Sequence, residues 1–191
     1  EGTVSTGGTH GIQVVNTGTG NSSVRTADVV GGEIAGVLVF TGDTTINSEV
    51  DTSEGFLTAG ATGVNHIAIG QGDATTKTGI VSAEGRGVRA VKLGATGDNT
   101  VDTTTGSVRA GDDGIDARLQ TDGALRVTTA NVTSQNGRGI FAEGAGSEVS
   151  LDTSAGVVTA GGAYAIEVDN IGSGATSLRT ANVEGGSSAG V

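Results

Sequence analysis

The sequence predicts an all-β chain wound as a parallel β-solenoid, and three observations carry that prediction. Short alternating apolar phrases recur about every 25 to 26 residues, the period of a supersecondary repeat. Glycine supplies 36 of the 191 residues while proline is absent, as expected of a chain that turns often and pairs its backbone almost everywhere. Two distant phrases, SVRTADVVGG at 23 to 32 and SLRTANVEGG at 177 to 186, are near copies.

The first strand of each coil follows a glycine or another small residue. The series runs GIQV at 11, GVLV at 36, HIAI at 66, GVRAV at 87, GIDA at 114, GIFA at 139 and AIEV at 165, with GV at 190 barely begun. The second strand carries Val24, Val50, Val101, Val127, Leu151 and Leu178. The third carries Val29, Leu57, Val81, Val108, Val132, Val158 and Val183. Gly, Asn, Asp, Ser and Thr lie between them and make the corners. Three short strands and three corners thus form one coil, and period-two alternation sends successive side chains in and out. Helices are disfavoured because apolar residues recur at i and i+2 and glycines interrupt every candidate.

Corner length divides the coils into two types. RTADV is short, whereas DTSEGFL, DTTTGSV and DTSAGVV carry two more residues. The true repeat is therefore a two-coil unit of about 51 residues. Its corner column reads Arg25, Asp51, Lys77, Asp102, Thr128, Asp152, Arg179. Rungs spaced about 4.8 Å apart make this an alternating charge ladder that avoids like-charge steps, with Arg126 expected to reach Asp102 or Asp152 where Thr128 interrupts it. The whole of 1 to 191 reads as one array of about seven coils, uncapped at both ends. It is read as a segment of a longer chain or a unit that stacks end to end, because bare terminal strands template further pairing.

Composition narrows function. No cysteine is present, which removes thiolate catalysis and zinc-thiolate sites. A formal charge of -11 disfavours nucleic acid, whose phosphates need clustered cations, and anionic membranes alike. Apolar runs such as GVLVF at 36 to 40 are too short to span a bilayer, which takes about 20 residues. No signal peptide opens the chain at EGTVSTGG, so an export signal is expected to have been removed or to lie outside this piece.

Candidate chemistry is sparse, and no catalytic, cofactor or metal residue is assigned. Asp112, Asp113 and Asp116, near Arg109 and Arg118, form the best acidic cluster. Two carboxylates at a suitable separation serve glycoside cleavage, and such a cluster is also a candidate for calcium. The preferred reading is a solvated corner of turn-forming aspartates. His10 and His66 fall near the starts of first strands two coils apart, too far to share a metal ion. NSS at 21 and NVT at 131 match the glycosylation pattern but carry little weight in so threonine-rich a chain. GAGS at 144 lacks the lysine of a phosphate loop. The column Thr26, Thr52, Thr78, Thr103, Thr129, Thr153, Thr180 suggests an ice-binding face as a third reading. HIAIGQGDATT at 66 to 76 hints at a trimeric adhesin head, but the required period near 14 is missing elsewhere.

The repeat style of phrases such as VTTANVTSQNGRGIFAEGAGSEVSLDTSAG at 127 to 156 resembles the passenger regions of Gram-negative autotransporters and related large surface adhesins. That resemblance implies a right-handed parallel β-helix, export through the outer membrane and display at the cell surface. Absence of cysteine agrees with export of an unfolded passenger. The resulting expectation is a non-enzymatic structural or adhesive extracellular rod without cofactors. It would associate with further repeats or with itself end to end, and contact host or environmental glycans. Its alternative is a polysaccharide-binding or polysaccharide-cleaving β-helix module.

Overall fold

A computed structural model describes residues 3–146 and 148–187. Sixteen strands follow in order: β1 (Thr3–Thr6), β2 (His10–Asn16), β3 (Gly20–Arg25), β4 (Asp28–Gly31), β5 (Ala35–Thr41), β6 (Thr45–Ala59), β7 (Thr62–Ala68) and β8 (Ala74–Ala83). There follow β9 (Arg86–Lys92), β10 (Asn99–Ala110), β11 (Ile115–Leu119), β12 (Ala124–Ser134), β13 (Ile140–Gly144), β14 (Glu148–Ala160), β15 (Ile166–Asn170) and β16 (Ala175–Gly185). No described residue is helical, so no helix is long and apolar enough to cross a membrane.

All pairings are parallel and join a strand to its counterpart one coil away. The first strands stack as a seven-stranded sheet in the order β15-β13-β11-β9-β7-β5-β2. The second and third strands form the other sheet, in the order β1-β4-β6-β8-β10-β12-β14-β16, with β3 paired to β6. This is the expected β-solenoid. From β6 onward, however, the second and third segments are one long bent strand. They separate into β3 and β4 only in the first coil. The bend is a register shift in the ladder, as between Thr52 and Phe56 or Asp102 and Val108. There the acidic coils insert their two extra residues, the expected short and long corners.

Two corrections concern parity. First, β7 begins at Thr62, and Val64 stacks on Val37 and Val88. HIAI is therefore the end of that strand and not its start, and a shift of three residues exchanges the faces. His66 consequently points inward and is 1% exposed. Second, the threonine column cannot face ice. Thr52, Thr78, Thr103, Thr129 and Thr153 are buried, each at 2% exposure or less, because they occupy the inner side of the bend beside the inward-facing second-strand residues. GTVSTGG does form a third strand, β1, paired with β4. GV at 190 lies outside the described residues.

The interior is a set of aliphatic columns in which Val24, Val50, Val101, Val127 and Leu151 face Val29, Leu57, Val81, Val108, Val132 and Val158. Glycine is required where the first strand leaves its corner, because a side chain there collides with the third strand. A Cβ on Gly114 would lie 2.4 Å from the Gly139 carbonyl oxygen and 2.5 Å from Val132 Cγ1. Gly63, Gly87 and Gly139 meet the same obstruction. The recurrent Gly-Val and Gly-Ile phrases are thus a packing requirement.

A polar seam crosses this core between the third and fourth coils. The His66 ring bonds to Ser48 Oγ through Nε2 at 2.7 Å and to Thr76 Oγ1 through Nδ1 at 2.9 Å. The Asn99 amide donates to the carbonyls of Ala90 and Arg118. Lys92 is fully buried and donates to the Gly70 carbonyl. Burial depresses the His66 pKa to about 4 and also lowers that of Lys92, since an apolar interior penalises the charged form.

Candidate functional site

Two surfaces of the solenoid carry ordered charge. The anticipated corner column is stacked as expected, with Arg25 beside Asp51, Asp51 beside Lys77, Lys77 beside Asp102 and Asp152 beside Arg179. Its ion pairs are nevertheless long: Arg25 lies 4.0 Å from Asp51, and Arg179 lies 3.9 Å from Asp152. The aspartates are engaged locally instead. Asp51 accepts from the amide and hydroxyl of Ser53, Asp102 from those of Thr104, and Asp152 from the amide of Ser154. Burial alone would raise the Asp51 carboxyl, but the Ser53 bonds and Arg25 outweigh it and hold the group below its usual range. These are Asx turns, and they account for the Asp at the start of every long corner and the Ser or Thr two residues after it. Lys77 pairs with Glu49 at 3.9 Å. Arg126 takes Asp98 at 2.5 Å and Glu148 at 3.2 Å, and not Asp102 or Asp152.

The denser arrangement is on the outer face of the seven-stranded sheet. Alternation along the first strands points two rows outward. One row is Gln13, Leu38, Asn65, Arg89, Asp116, Phe141, Glu167; the other is Val15, Phe40, Ile67, Val91, Arg118, Glu143, Asp169. The face therefore has two halves, apolar over the early coils and ionic over the later ones.

Asp116 centres the ionic half and is 1% exposed. Three guanidinium groups cover it: Arg118 at 2.7 Å, with Arg86 and Arg89 at 3.9 Å. Asp113 binds Arg138 at 2.9 Å and lies 3.9 Å from Arg86. Arg138 continues to Glu167 at 3.1 Å, and Arg118 to Glu143 at 4.0 Å. Phe141 is roofed by both cations, with the Arg138 and Arg118 guanidinium carbons 4.0 Å and 4.9 Å from the ring centre. Cation-π contacts of this kind add to the ion pairs where water is displaced.

The charge states follow from the geometry. Burial would raise the Asp113 carboxyl, but bonds from the Arg138 side chain and amide prevail and keep it lowered. The bond to Asp113 raises Arg138, and the bond to Asp116 raises Arg118. Arg89 is lowered, chiefly by burial. Asp113 is thus ionised and saturated by arginine, a poor proton donor for a glycosidic oxygen.

Of the residues singled out from sequence, Asp113, Asp116 and Arg118 fall in this lattice. Asp112 is exposed. Arg109 stands on the long strand β10 between Ser82 and Thr133, on the other sheet. The lattice members Arg86, Arg89, Arg138, Phe141, Glu143 and Glu167 were not anticipated. The usable signal was that four of ten cationic residues fall at outward or preceding positions of consecutive first strands. Among the described residues no group of three or more His, Asp or Glu side chains is arranged to hold a metal ion. His10 contacts Thr9 Oγ1 at 3.2 Å, remote from the buried His66.

The fold and this face define the class of protein, an all-β parallel solenoid with one differentiated side. Comparison with protein-family models, curated proteins and solved structures returned no match.

Proposed function

We propose that this chain is part of a rigid extracellular rod, a structural or adhesive segment of a bacterial surface stalk, adhesin or filament. The observation that carries the reading is the contrast between a regular interior and one specialised outer face. Seven coils repeat the same aliphatic columns, giving a rod about 34 Å long, while the unusual side chains gather on the first-strand sheet. A scaffold whose coils repeat from rung to rung apart from one polar seam, and which is differentiated on one outer side, is suited to contact another surface. The resemblance to autotransporter passengers supports display outside a Gram-negative outer membrane. Host or environmental glycans are the proposed ligands, and further repeats or end-to-end copies the proposed neighbours.

The test is adhesion of beads coated with the purified chain to cells and to immobilised glycans. Coated beads are expected to adhere above albumin-coated controls, and adhesion should fall when Arg86 and Arg89 are both changed to Ser. Equal adhesion by the controls would overturn the reading. Release of sugar ends from an acidic polysaccharide, abolished by Asp113→Asn, would establish the polysaccharide-cleaving alternative instead.

A further inference from the structure

We propose that the third coil, β7 and β8, is a joint: the solenoid parts there before it unfolds as a whole, the coils beyond it staying wound, and acid promotes the parting by protonating His66. This rests on the packing of the interior, and it holds whether or not the rod is an adhesin.

The third coil has the thinnest aliphatic core. Its buried aliphatic side chains larger than alanine are Val64 and Val81. The fifth coil, β11 and β12, buries Ile115, Leu119, Leu125, Val127 and Val132. Column by column the difference is direct: Leu119 stands over Lys92 and Ala68, Leu125 over Asn99 and Ala74, and Val127 over Val101 and Thr76. His66 takes the place that Val39 holds one coil earlier. Parting the coils here exposes little apolar surface, and apolar exposure is the main cost of opening.

The same step hydrates what the fold has dried. His66, Ser48, Thr76, Lys92 and Asn99 are all buried. Lys92 offers three N–H groups to one acceptor, the Gly70 carbonyl in the corner between β7 and β8. Asn99 Oδ1 has no hydrogen-bond partner. Burial of such groups is costly, and water satisfies them once the third coil lifts. The stability of a solenoid is a sum of coil and neighbour-interface contributions, so the interface with least apolar and most polar contact opens first. In the 191-residue chain two coils lie before the joint, fewer than the roughly three that a solenoid needs. They unwind together with the third.

Acid acts at the same place. The His66 ring has Ser48 of β6 and Thr76 of β8 on its two nitrogens, with Val39 of β5 and Ala90 of β9 on the adjoining rungs. Lys92 is the one other buried titratable group on β5 to β10, and the Asp73 carboxylate, in the same corner as Gly70, partly offsets its burial. The remaining charges of these strands reach water: Glu49, Asp51 and Glu54 on β6, Lys77 on β8, Arg86 and Arg89 on β9, and Asp102 and Arg109 on β10. Among the described residues no carboxylate is buried in the seam. Protonation of His66 therefore adds a second cation to the seam that holds Lys92, with no anion inside to offset it.

Hydrogen exchange of the whole chain, read by mass spectrometry of peptides and corrected for the intrinsic rate at each pH, tests the proposal. At pH 7 the amides of the first three coils are expected to share one protection level, with a step up of roughly tenfold or more after Ala83. From pH 7 to pH 5 the opening of this block should rise about twentyfold, as a group with a pKa of about 4 in the fold and 6.5 outside it dictates. His66→Gln should keep the step and lose the acid response. His66→Val with Ser48→Ala and Thr76→Val replaces the polar set by what the same columns carry in other coils, and it should shrink the step. Protection that climbs gradually from the first coil is fraying of an end and would overturn the proposal. So would a single level through the sixth coil, a block indifferent to pH, an acid response that survives His66→Gln, or a step unchanged by the triple substitution.

Discussion

Lowering the pH from 7 to 5 is expected to remove about 2 kcal/mol of folding stability through His66 alone. Its imidazole is 1% exposed, bonded on both nitrogens to hydroxyls, and has a pKa of about 4 in the folded chain against 6.5 when free. Between these values the unfolded chain binds a proton that the folded chain does not, so stability rises with pH across the window. The contribution is complete above pH 6.5 and is lost as the pH falls towards 4, where the total reaches about 3 kcal/mol at 1.36 kcal/mol per unit. Carboxylates held low, such as Asp51, Asp98 and Asp113, act mainly below this window because the free carboxyl titrates near 3.9. Urea unfolding of the wild type at pH 7 and pH 5 should therefore show the loss. His66→Gln, which keeps a neutral hydrogen-bonding group beside Ser48 and Thr76, should show almost none. Equal losses in both proteins would refute the assignment, as would an imidazole titrating near 6.5 by NMR in the folded chain.

Other substitutions separate the remaining forces. Thr103→Val should stabilise the chain by about 1 kcal/mol in urea unfolding, because the buried Thr103 hydroxyl has no hydrogen-bond partner and valine removes its desolvation cost; a loss would reveal a partner. Gly114→Ala should destabilise by about 1 to 3 kcal/mol, the usual cost of overpacking, read as a lower denaturation midpoint. Asp116→Ala should cost about 2 kcal/mol, below the 3 to 5 of a fully buried pair because the surrounding arginines keep contact with water. Arg25→Ala, by contrast, should leave the unfolding midpoint unchanged within error, since its pairs lie on the exposed corner.

The repeat made most of the fold legible before any coordinates. Second- and third-strand residues named from the pattern stack in register, from Val24 and Val50 through Leu151 and Leu178, and from Val29 and Leu57 through Val158 and Val183. Short and long corners emerge where RTADV and DTSEG predicted them. The one misplaced strand, at His66, shows the limit. HIAI alternates as well as GVLV does, and local alternation cannot say which parity lies inside when a polar residue takes a core position. Neighbouring rungs settled it through Val37 and Val88.

The chain's own order of residues determined the coil, its period and the columns that fill it, because these depend on alternation and turn chemistry within a few residues. Tertiary stacking decided which side chains meet. It set the neighbouring coils against the threonine column and assembled Arg86, Arg89, Asp116, Arg118, Arg138 and Phe141 into one lattice. Such partners stand roughly 25 residues apart in sequence yet only about 4.8 Å apart between rungs, a proximity that local pattern does not encode.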